Sequence, residues 1–221
     1  MKKIKYLIFI LLCCAAIIFV FESYKTFFMK NTNFSADSIY LKIPTNATKL
    51  QLLDSLSNYL TDLETFEKAA VKKEYILNIK AGRFEIKKNY NNNEIINSLR
   101  SNNLPVKLTF NNIETLNKLA GTISKKIEAD SSSIVMAFND KTFLNDLNLN
   151  EDSVFGLFIP NTYEFFWNTD AIGFRERIVK EFDNFWNNSR IEKIKKINLN
   201  PIEVMVLASI VQKETPKVDE R

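Results

Sequence analysis

Apolar and polar positions divide the chain into one uninterrupted apolar run and a long remainder in which short patterns of period two and period 3.6 alternate. Tyr6 to Phe21 carries no charge and is dominated by Ile, Leu, Phe, Cys and Ala. Such a run has no polar face with which to lie along a protein surface. With Ile4 and the residues after Glu22 it approaches the ~20 residues that a spanning helix needs. Lys2, Lys3 and Lys5 precede it. The pattern predicts an uncleaved anchor at 6–22, with residues 1–5 on the cytoplasmic side of the plasma (inner) membrane and the rest outside. A cleaved signal is the rival reading, but bulky Ile17 to Phe21 offer no small-x-small cleavage site. Cys13 follows Leu12 rather than a small residue, which disfavours lipid attachment there.

Beyond the anchor, 23–38 is polar and aromatic without a period and reads as a juxtamembrane linker. Ile39 to Ile43 alternates as a strand and stops at Pro44. Thr48 to Leu60 places Leu50, Leu53, Leu56 and Leu60 at helical spacing. Tyr75 to Ile79 predicts a second strand, and Lys80 to Ile86 a Gly-containing turn into a third. Asn93 is expected to cap a helix holding Ile95, Ile96 and Leu99, which ends at Asn102-Asn103. A weaker copy of the opening follows: Val106 to Phe110 as a strand, then Glu114 to Ile127 as a helix with Leu116, Leu119, Ile123 and Ile127 inward. The aromatic stretch Phe155 to Phe165 fits a packed loop or a short strand pair, and Phe174 to Trp186 an amphipathic helix. Alternation of these elements points to an α+β fold.

Composition narrows the chemistry. The chain has 221 residues and a formal charge of +4, too nearly balanced for a nucleic-acid binder. It contains no histidine, which removes His-dependent triads and His-ligated metal sites. Both cysteines, Cys13 and Cys14, lie in the apolar run, so no thiol serves the rest of the chain. No metal or cofactor is expected. Carboxylates, hydroxyls, amides and lysines remain.

One carboxylate stands in a distinctive place. Asn200-Pro201-Ile202-Glu203 has the form of a helix start, with a capping residue, Pro at the first position and Glu three residues after the cap. Val204 to Val211 is almost wholly apolar and predicts a buried helix. It runs to Gln212-Lys213-Glu214-Thr215 and is stopped by Pro216. Glu214 shares a stripe with Ile210 and Leu207. Burial and the negative end of the helix dipole would both favour its protonated form, as a glycosidic general acid requires. A helix-end glutamate is more often a solvated charge, and Lys213 or Lys217 could pair with it.

Leu207-Ala208-Ser209-Ile210-Val211-Gln212-Lys213-Glu214-Thr215, with Glu220-Arg221 soon after, resembles the active-site helix of the endolytic murein transglycosylases, the YceG-like family. Phe158-Ile159-Pro160-Asn161-Thr162-Tyr163 resembles a loop of the same family, and Lys80-Ala81-Gly82-Arg83-Phe84 its LysM-like module. The resemblance implies a LysM-like α/β module at 39–104 and the first part of an α+β catalytic domain at 105–221, because family members continue beyond the position of Arg221. It implies peptidoglycan glycan strands as substrate, peptidoglycan synthases as candidate partners, and Glu214 as the catalytic acid/base. The implied reaction cleaves the bond between N-acetylmuramic acid and N-acetylglucosamine and leaves a 1,6-anhydro end. Gln212 departs from the family, where Glu is frequent, and leaves Glu214 as the motif's one carboxylate. Two other readings compete. A membrane-anchored peptidoglycan-binding or scaffold protein would need no acid. An ordinary glycoside hydrolase would need a second carboxylate, for which Asp140, Asp146 and Asp152 are the weak candidates.

Overall fold

The apolar run forms a single helix, α1 (Lys2–Phe28), in a computed structural model that describes residues 2–110 and 115–214. Ile4–Phe28 is long and apolar enough to cross a membrane. Every large apolar side chain from Ile4 to Phe21 is exposed. The expected linker is corrected. Ser23 to Phe28 continue the helix, and the residues after it are tied down rather than free. Thr26 and Asn31 are buried. The Asn31 amide donates to Asp62 O (2.8 Å) and to Asn92 Oδ1 (2.7 Å), while its Oδ1 accepts the Asp62 N–H (2.7 Å). Asn92 Nδ2 in turn donates to Thr26 O at 2.8 Å. Buried amides persist only when paired this fully, which no periodicity reveals.

These residues belong to the first of two units, Met1–Pro105 with Phe166–Asn168. Its sheet pairs β1 (Ser38–Ile43) antiparallel with β2 (Gly82–Lys87), with Ile43 opposite Gly82 and Ser38 opposite Lys87. Leu41, Ile43, Phe84 and Ile86 point into the core, where α2 (Lys49–Ser57), α3 (Leu63–Lys72) and α4 (Asn92–Ser101) meet them. Several local expectations change. Leu50 is 75 % exposed, because the buried stripe of α2 is Leu52, Leu53 and Leu56. The strand expected at 75–79 is a single 3-10 turn, Tyr75–Leu77. Its amides bond locally, Leu77 N to Glu74 O and Asn78 N to Tyr75 O, so they join no ladder. Asn91, not Asn93, caps α4: its Oδ1 accepts the Glu94 N–H and Glu94 Oε2 accepts its own N–H, both at 2.9 Å. The helix α3 went unpredicted.

The second unit is Val106–Phe165 with Thr169–Arg221. Here β3 (Pro105–Phe110) is hydrogen-bonded to β4 (Asn161–Phe166). Between them run α5 (Leu116–Ile123), α6 (Ser131–Phe138), α7 (Lys141–Asp146) and a 3-10 turn, Val154–Leu157. After β4 come α8 (Ala171–Phe185), α9 (Asn188–Lys195) and α10 (Pro201–Glu214). Apart from α1, both units thus run strand then helix and close their sheet with a later strand. In α5, Leu119 and Ile123 are buried and Leu116 is half-buried; Glu114 lies outside the described residues. The core is aromatic: the Phe174 ring lies 5.2–6.4 Å from those of Phe110, Phe138, Phe158 and Phe165.

Candidate active site

The helix bearing Glu214 begins as its sequence predicts. Asn200 Oδ1 accepts the Glu203 N–H at 3.0 Å and Glu203 Oε2 accepts the Asn200 N–H at 2.7 Å, a reciprocal capping box. Ile202 and Met205 pack on the second unit's core. Gly156 leaves room for that seat, since a Cβ at this position would meet the Ile202 side chain at a tight 3.2 Å. The expectation of a buried helix is corrected. No residue of α10 is buried, and Val206, Leu207, Ile210 and Val211 are 39–52 % exposed. Only its Ile202 and Met205 side touches the core, so among the described residues its apolar far side meets solvent.

Glu214, its last residue, is exposed and forms no ion pair among the described residues. The apolar enclosure expected around this carboxyl is therefore absent there. Thr215, Pro216, Lys217 and the Glu220-Arg221 pair lie outside the described residues. The other acidic candidates are placed elsewhere. Asp140 caps α7, its Oδ1 accepting the Phe143 N–H at 2.8 Å. Asp146 ends α7 and Asp152 sits in the Asn150 turn, both exposed, and no described contact joins either to Glu214. Among the described residues no cluster of three or more His, Cys, Asp or Glu could hold a metal ion.

The Phe158 to Tyr163 segment is split by β4. Phe158, Ile159 and Tyr163 are buried, while Pro160, Asn161 and Thr162 face solvent. Tyr163 donates its hydroxyl to Ile159 O at 2.9 Å, which folds the segment onto itself. Burial first, and the Glu181 carboxylate second, push the Tyr163 phenol up, so it stays a donor at neutral pH. Thr162 Oγ1 stands 2.9 Å from Thr109 Oγ1 across the β3–β4 pair. Neither this hydroxyl pair nor the Gly156 seat was singled out in the sequence; the only signal was alternation along β4 and one glycine among phenylalanines.

Residues 41–221 match the model of the YceG-like family. The chain belongs to the YceG-like family. No curated protein matches it. Among solved structures, it is similar to a yceG-like protein from Listeria monocytogenes, at 19 % identity and a TM-score of 0.48. That similarity covers 83 % of this chain but 66 % of the other, so this chain spans less than two thirds of that protein's length. The YceG-like match includes all three segments that carry the resemblance. In Lys80 to Phe84, Gly82 adopts φ +146°, and a Cβ there would lie 2.5 Å from the Asn103 side chain. Only glycine fits a position with both features.

Proposed function

We propose that this chain acts as a membrane-anchored endolytic peptidoglycan lytic transglycosylase. Membership of the YceG-like family over 41–221 carries the reading, because that family is associated with this activity. Glu214 is the proposed acid/base. Its carboxylic acid protonates the glycosidic oxygen linking N-acetylmuramic acid to N-acetylglucosamine, and the C1–O bond breaks. The resulting carboxylate takes the proton of the muramic C6 hydroxyl, whose oxygen closes on C1. One proton moves from O6 to the departing O4, no water is consumed, and Glu214 ends as it began. A second carboxylate to activate water is unnecessary. The helix Ile4–Phe28 serves as a single-pass anchor in the plasma membrane. With Lys2, Lys3 and Lys5 inside, the LysM-like module at 39–104 and the catalytic part at 105–221 lie outside. Peptidoglycan strands are the substrate and peptidoglycan synthases the partners.

The exposure of Glu214 favours one alternative for this chain by itself, a non-catalytic peptidoglycan-binding or scaffold protein. A glycosidic acid works from desolvated surroundings, and the described residues do not enclose this one. The two readings part on product. Membrane-embedded protein incubated with purified sacculi should release anhydro-muropeptides by mass spectrometry, and Glu214→Gln should abolish them. Unchanged product in the variant removes Glu214 from the mechanism. Co-sedimentation with sacculi without any product supports the scaffold.

A further inference from the structure

The outward face of the first unit's sheet is not used by the reaction above. Alternation places Tyr40 and Lys42 of β1 and Arg83, Glu85 and Lys87 of β2 on this face, with Lys42 paired to Arg83 and Tyr40 to Glu85. Tyr40 is 51 % exposed. The Arg83 guanidinium lies 3.7 Å from the Tyr40 ring centroid, and Lys42 Nζ lies 5.7 Å from that of half-buried Trp167. Neither cation forms an ion pair among the described residues. Three cations therefore stand against one carboxylate, Glu85, on a face that also carries two aromatic rings.

The face is held rigidly. Asn103 Oδ1 accepts the Arg83 N–H at 3.0 Å, and Asn103 Nδ2 donates to Asn168 Oδ1 at 3.1 Å. Leu104 N donates to Arg83 O at 2.8 Å, and Arg83 Nη1 to Pro105 O at 3.3 Å. The Gly82–Asn103 approach thus fixes Arg83 and the Trp167 segment together. A guanidinium stacked on a ring keeps its planar donor edge, which matches a carboxylate in two-point contact.

We propose that this face is a binding subsite for a carboxylate-bearing glycan strand, with Arg83 and Lys42, each set against an aromatic ring, taking the carboxylates. It deepens the peptidoglycan reading and rests on it, since the stem peptides of that polymer bear free carboxylates along an amino-sugar chain. Charge complementarity selects this occupant over an uncharged glycan. The site would hold a strand whether or not it is being cut.

The test uses the full chain in phosphatidylcholine nanodiscs and its affinity for purified sacculi. Lys42→Gln with Arg83→Gln should weaken binding about tenfold or more, the scale of one or two charge-assisted hydrogen bonds. The charge-matched pair Lys125→Gln with Lys126→Gln should leave it unchanged. Amidating the carboxylates of the sacculi should produce the same loss with the unaltered protein, which needs no variant to fold. Undiminished binding after amidation overturns the proposal, as does an equal loss in the control pair, or a stronger response to phosphatidylglycerol vesicles than to sacculi. Glu214→Gln should bind sacculi normally. If that variant still makes anhydro product, the catalytic assignment falls while the subsite stands on affinity alone.

Discussion

After α1 the first unit runs strand then helix, as the second unit does from its start, and each pairs that strand with a later one. They hold their outer helices by different means. In the first, the end of α1 enters a buried set of amides: Asn31, Asn92 and the Asp62 backbone exchange four hydrogen bonds with one another and with Thr26. Each is directional and leaves a costly orphan if broken, so the network specifies one arrangement. In the second, a cluster of phenylalanine rings fills the core and, among the described residues, Ile202 and Met205 are the apolar side chains of α10 packed against it. Burial of apolar area is non-directional, and among the described residues α10 keeps an apolar face exposed.

The contrast can be strained in order of expected effect. Phe174→Ala should be the most damaging. The side chain is fully buried among four other rings, and its removal should cost about 3–5 kcal/mol in denaturant unfolding. A loss below about 1 kcal/mol would mean that the rings do not form one packed core. Asn92→Leu should come next. It strips Asn31 of an acceptor and Thr26 O of a donor in a buried place, at about 2–3 kcal/mol. Proteolysis within 29–37 should rise at the same time; unchanged cleavage would show that the amides do not pin that segment. The smallest effect is one of pH. Burial pushes the Tyr75 phenol from 10.0 up to about 12. Its contribution is complete below pH 10 and is lost as pH rises towards 12, because the unfolded chain releases the proton first. The loss should be on the order of 2 kcal/mol, and Tyr75→Phe should flatten that limb. A slope that survives in Tyr75→Phe belongs to another group.

Elements with strong local signals were legible in the residues. The long apolar helix α1, the β1 alternation, the Phe174 stripe of α8 and the Asn200–Glu203 box each follow from nearest-neighbour chemistry. α3, α6, α7 and α9 were not: the buried stripe of α3 is Phe66 with two alanines, Ala69 and Ala70, and α6, α7 and α9 are about two turns or shorter. The Asn91 cap was displaced by two residues because three asparagines in a row compete and only the spacing to Glu94 decides. The catalytic candidate was legible only through family motifs.

Local rules therefore settled where helices start, which strand positions point inward and which residue types were left to do chemistry, since caps and periodicities act within a few residues. Long-range contact settled the rest. Asn31 finds Asn92 across 61 positions, and Gly82 must be glycine because Asn103 fills the space a Cβ would take. An apolar run reads the same whether it meets lipid, core or water. For α1 and α10 only the tertiary structure decided which neighbours each side chain has, because burial is a property of what surrounds a residue and not of the residue itself.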